Sequence, residues 1–151
     1  MTLAEKFCLT AAFLFLMSGL LTGIWKYRHM ARSPDATAPT YVDIAHRSSL
    51  MYAFAALVLG QLAAYSQFPP LVNTIAALVA LAFFAFAIGS YVLHGLLQDT
   101  DNQFQRPHKL GHTHLPGWMM SFFMTALIAG EVGGALVLGA GAMMNIWSVV
   151  G

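Results

Sequence analysis

The residues able to do chemistry in this chain are few, and nearly all stand in an apolar background. His46, Tyr52, Tyr91, His94 and Glu131 are the candidates. A neutral imidazole is the commonest ligand for metal ions and for haem iron, so His46 and His94 are candidate ligands. The alternative for each is a hydrogen bond to lipid headgroups or water. Tyr91 and His94 are three residues apart, which puts them on one face of a helix. Tyr52 lies five residues beyond Arg47, about 7–8 Å along a helix, and Tyr91 about 9 Å in from Leu97. By depth, the four groups are expected to line one shallow pocket between the second and third helices. Arg47, Lys26 and Arg28 would form its cationic rim, which suits the propionates of a haem and equally an anionic headgroup.

Glu131 is a different case. It falls thirteen residues past Trp118, about 20 Å deep in a helix, where an ionisable group is costly and a functional candidate by default. Gln61, fourteen residues past Arg47, is expected at nearly the same depth, and a neutral Glu131 bonded to it would need no function. The nearby Gly130, Gly133, Gly134, Gly139 and Gly141 favour close helix contact, within the chain or between subunits. His108, His112 and His114 have spacings of four and two that can chelate a metal. With no cysteine beside them and only Asp99 and Asp101 nearby, they read as a solvated loop.

These groups need elements to hold them, and composition says which. Hydrophobic residues make up 58% of the 151 and charged ones 9%, so the charged side chains cannot coat a water-soluble globule of this size. The net charge of +1 gives no sign of nucleic-acid binding. The single Cys8 removes disulfide frameworks and dithiol redox chemistry. About 20 apolar residues cross the hydrocarbon core, and four segments qualify: 7–25, 48–68, 71–94 and 118–150. Pro69-Pro70 separates the second from the third, because proline has no amide donor and disfavours helix before it. The expectation is an all-α, integral membrane four-helix bundle forming one domain over 1–151. Six of the seven basic residues fall in the polar segments 26–47 and 95–117, so both are placed in the cytoplasm and the termini outside, in the cytoplasmic membrane. Trp25, Tyr27 and Trp118 sit at the same boundary, where interfacial aromatics belong.

The pair Ala45-His46 and the run Gly89-Ser90-Tyr91 resemble styrene oxide isomerase. The run Phe15-Leu16-Met17-Ser18-Gly19-Leu20-Leu21-Thr22-Gly23 resembles the related hydroxylaminobenzene mutases. The resemblance covers about residues 7–104, and its best part is the spacing of 45 between His46 and Tyr91. It implies a homotrimer holding haem b near a subunit boundary, with His46 on the iron and Tyr91 in the substrate pocket. It also implies a small apolar aromatic substrate, an epoxide rearranged to an aldehyde by Lewis-acid activation, beside the rings of Phe54, Phe83, Phe84 and Phe86. The chain departs from the family at Tyr52, where the family has asparagine. That tyrosine keeps a hydroxyl for a substrate oxygen but is large enough to approach iron.

Rival readings stay open. If His94 took the sixth position, a bis-histidine haem would carry electrons and leave no site for an epoxide. A structural membrane protein without cofactor is the other alternative. The microsomal glutathione transferases need an arginine- and asparagine-containing run in the second helix, and Ala45-His-Arg-Ser-Ser-Leu-Met-Tyr52 lacks that pattern.

Overall fold

A computed structural model describes residues 1–148 of the chain. Four helices alternate in direction: α1 (Leu3–Met30), α2 (Thr40–Tyr65), α3 (Pro70–Leu97) and α4 (Gly117–Ser148). Each is long and apolar enough to cross a membrane, as the helices of a multi-pass membrane protein are. A two-stranded hairpin, β1 (His108–Leu110) with β2 (Thr113–Leu115), interrupts the last polar segment. No sequence signal singled it out. Its turn is Gly111-His112 with Gly111 at φ +60°, a conformation glycine adopts without steric cost.

The helices outrun the apolar spans at their polar ends. Apolarity marks what a bilayer requires, while intrahelical hydrogen bonding continues through polar residues that favour helix. α1 starts at Leu3 because Thr2 and Glu5 cap it reciprocally: the Thr2 amide donates to the Glu5 carboxylate and the Glu5 amide to the Thr2 hydroxyl. α2 begins at Thr40, eight residues before the expected 48, and ends at Tyr65, three before 68. Pro70 opens α3 at a position where the missing amide costs nothing, and Gln98 in a left-handed conformation closes it. Residues 149 and 150, the end of the fourth expected span, lie outside the described residues.

α2 and α3 form the middle of the bundle, with α1 on one flank and α4 on the other; α1 and α4 share almost no contact. α1 buries Ala4, Cys8, Ala12, Phe15, Gly19 and Thr22, a stripe spaced by threes and fours. Against it α2 sets Ser49, Ala53, Ala56 and Gly60, and the close approach shows where Gly60 meets Cys8. Small residues let backbones come together where lipid supplies no hydrophobic drive. On the other flank Gly134 of α4 lies on the Ala76 carbonyl and Ala80 of α3, and Gly130 lies under Phe83. Gly133 and Gly139 face open space instead, so the α4 glycines divide between an inner face and an outer one.

Candidate functional site

His46 stands two turns into α2 and turns toward α1. Its Nδ1–H donates to the Gly19 carbonyl oxygen at 2.8 Å; a carbonyl only accepts, so Nδ1 carries the proton. The ring lies against Gly23, where a Cβ would come within 2.9 Å of Cε1. In the neutral imidazole this leaves the lone pair on Nε2, the arrangement that orients metal-ligating histidines. Nε2 has no hydrogen-bond partner, yet no buried polar side-chain atom among the described residues lacks one. Nε2 is therefore not fully buried. Leu20, Ile24, Met51 and Phe54 are exposed on the same two helices. At the polar end Lys26 pairs with Asp43 at 2.5 Å, and the exposed Arg47 reaches the other Asp43 oxygen at 3.4 Å.

Tyr52 and Tyr91 do not share this face. Tyr52 stacks on Phe84 of α3, ring centroids 4.4 Å apart, and its hydroxyl donates to Glu131 of α4 at 3.3 Å. Tyr91 stacks on Tyr41, centroids 6.1 Å apart. The partner expected for Glu131 is thus corrected: Gln61 is exposed, and Tyr52 takes its place. The reason is the early start of α2. Tyr52 lies twelve residues past Thr40 and Glu131 fourteen past Gly117, about 18 and 21 Å along their helices.

His94 belongs to a third environment, the cap over the polar ends of α2 and α3. It is buried, packs at a tilt against Tyr41 with ring centroids 5.0 Å apart, and donates from Nδ1 to Asp99 at 2.8 Å. The other Asp99 oxygen accepts the Gly111 amide at 2.5 Å, fastening the hairpin to the end of α3. Burial raises the Asp99 carboxyl, but the hydrogen bonds from His94 and Gly111 outweigh it and hold the group below the usual carboxylate range. The Tyr41 hydroxyl accepts the Gln103 amide at 2.6 Å, and His108 Nδ1–H donates to the Gln103 carbonyl.

The expected four-residue pocket therefore resolves into separate places. His46 faces α1, Tyr52 faces Phe84 of α3 and Glu131 of α4, and Tyr91 and His94 of α3 both lie against Tyr41 of α2, His94 folded into the cap. One chain does not offer His46 and His94 to the same iron. His108 is buried while His112 and His114 are exposed, and no three metal-ligating residues cluster among the described residues. A haem needs only one protein ligand, and His46 fits that requirement. Of the phenylalanines, Phe84 lies in the core on Tyr52 and Phe83 covers Gly130. Phe54 is exposed, and so is Phe86, which stacks on Phe123.

Several partners were not apparent from the sequence alone. Tyr41 shares a face with Tyr52, eleven residues or about three turns on, a regularity that could have flagged it. Asp99 gives no such signal, because its role depends on a left-handed residue and a distant hairpin. Comparison with family models, with characterised proteins and with solved structures gives no match to this chain.

Proposed function

We propose that this is a membrane-embedded haem b isomerase, assembled as a homotrimer, that rearranges an aryl epoxide to an aldehyde without net redox change. The carrying observation is the fixed tautomer of His46, whose Nδ1–H is held by the Gly19 carbonyl while Nε2 is left unpartnered and not fully buried. When bound, the ferric haem supplies a Lewis acid for the epoxide oxygen. The chain's own residues do the rest. His46 would hold the iron, and the missing side chain of Gly23 leaves room for its ring against α1. Arg47, only loosely held by Asp43, is placed to meet an anionic propionate. The exposed Phe54, two turns beyond His46 on α2, would offer an apolar surface that limits water beside the bound group. A site open on one side calls for a second copy to close it, which supports the oligomer. Tyr52 and Tyr91 face the other seam and take no part at the iron within one chain. The excess of basic residues in the polar segments 26–47 and 95–117 supports their placement on the cytoplasmic side of the cell's inner membrane.

The test is the visible spectrum of the protein purified in mild detergent and supplemented with haem. A Soret band is expected, and His46→Ala should abolish it. No band in the parent protein, or an unchanged band in the variant, overturns the reading. Aldehyde should form from an aryl epoxide without added reductant. A low-spin spectrum that turns high-spin in His94→Ala would instead identify an electron carrier.

A further inference from the structure

We propose that Glu131, with the ring of Tyr52 and the neighbouring aromatic face of α3, forms a binding site for a lipophilic organic cation entering from the lipid side of α4. Glu131 is the one acid placed midway along an apolar helix, with fourteen residues of α4 before it and seventeen after. Only one of its oxygens is engaged, by a long hydrogen bond of 3.3 Å from Tyr52. The second has no partner and, since no fully buried polar side-chain atom among the described residues lacks one, it is not fully buried. No lysine, arginine or histidine pairs with it among the described residues. The structure thus holds a carboxyl deep in an apolar helix with no internal counter-charge.

The surroundings favour a cation over any other ligand. The Tyr52 ring lies on Phe84 with centroids 4.4 Å apart, and Tyr91 follows Phe84 by two turns on the same helix. Ring faces carry negative quadrupole and attract cations, most strongly where water is excluded. Gly130, next to Glu131 in sequence, lies under Phe83, and Gly134, one turn on, lies on the Ala76 carbonyl, so the inner side of α4 here is backbone packed on α3. An ionised carboxylate alone in that position is costly, and a proton or a cation relieves the cost. A strongly hydrated ammonium would have to shed its water to arrive through lipid. A cation with its charge spread under aromatic or alkyl groups would not, and that selects the ligand class.

Because a proton and the ligand neutralise the same oxygen, they compete. The titratable groups facing Glu131 are Tyr52 from α2 and Tyr91 from α3, neither of them basic. Below the carboxyl's own titration, binding should release a proton and strengthen as pH rises, by up to about tenfold per unit.

Equilibrium dialysis of tetraphenylphosphonium against the full chain in detergent tests this. Saturable binding of one cation per chain is expected at about pH 8, weakening toward about pH 5. Glu131→Gln, which keeps the shape and a hydrogen-bond acceptor, should weaken it by more than about thirtyfold. Tyr52→Leu, which removes the half-buried ring beside the carboxyl, should weaken it by about two- to thirtyfold. No saturable binding in the parent protein overturns the proposal, as do pH-independent binding and full retention in Glu131→Gln. Equal competition by a neutral tetraphenyl analogue also overturns it, since only apolar partition would remain. If Glu131→Gln fails to fold, the pH dependence of the unaltered chain decides alone. The Soret measurement is separate, so failure of the haem reading leaves this result standing.

Discussion

The two sides of α2 are made of different materials. Toward α1 the seam is glycine, alanine and serine, drawn close enough for Ser18 and Ser49 hydroxyls to lie 3.4 Å apart and for His46 to bond a backbone carbonyl. Toward α3 and α4 it is aromatic: Tyr41 on Tyr91, Tyr52 on Phe84, with Glu131 beyond. Small residues fix a backbone distance and leave the imidazole one orientation. Large rings fill a wider gap and leave polar tips to find partners on a third helix. His46 and Tyr52 are only six residues apart, yet six steps of about 100° set them about 120° apart around the helix. Similar depth put them together on paper, and azimuth separates them.

The sharpest way to break the contrast is to dislodge α4 alone. A Cβ at Gly134 would come within 2.5 Å of the Ala76 carbonyl oxygen, and backbone cannot move aside cheaply. Gly134→Leu should cost about 3 kcal/mol or more, read as a fall in the thermal aggregation midpoint in detergent. Haem uptake at His46 should survive in whatever fraction stays folded. Loss of uptake in that fraction would show that the two sides are not independent.

The cap comes next. Asp99→Asn removes a buried charge-assisted partner of His94 and should cost about 1.5–3 kcal/mol. Because the folded carboxyl sits below its usual range, its stabilisation is fully present above the unfolded value of about 3.9 and disappears as pH falls through the lower folded value. The difference in melting temperature between parent and variant should begin to shrink only below about pH 4 and be lost once pH is below the carboxyl's lower folded value. A difference that instead grows toward low pH would contradict this assignment.

On the α1 side, Gly23→Ala places a methyl 2.9 Å from His46 Cε1. The ring must give way and strain the bond to Gly19, at a cost of about 1 kcal/mol. The expected readout is weaker haem uptake with Tyr52–Glu131 untouched. Tyr52→Phe is the converse. It should cost about 0.6 kcal/mol, the usual worth of an interhelical hydrogen bond in a membrane, and leave the Soret band unchanged. The smallest effect belongs to Gly133→Ala, where the added methyl meets nothing. It should be neutral or stabilise by up to about 1 kcal/mol through helix propensity, unless a second copy packs on that face.

Much of the fold was legible beforehand because its causes are local. Four apolar stretches, the Pro69-Pro70 break and the basic loop segments each follow from neighbouring residues and a fixed rise per residue. The helix ends were less legible. Hydropathy placed the start of α2 at 48, whereas the backbone winds from Thr40, and that difference exchanged Gln61 for Tyr52 beside Glu131.

By itself the sequence determined which groups are able to do chemistry and which helix carries each one. Those properties depend on residue type and on a period of 3.6, both readable along the chain. Only the tertiary structure decided who meets whom: Gly19 with His46, Asp99 with both His94 and Gly111, Tyr52 with Glu131. Partnership across helices depends on how each cylinder is rotated against the next. That rotation is set by the summed packing of many alanines, glycines and rings rather than by any residue read alone.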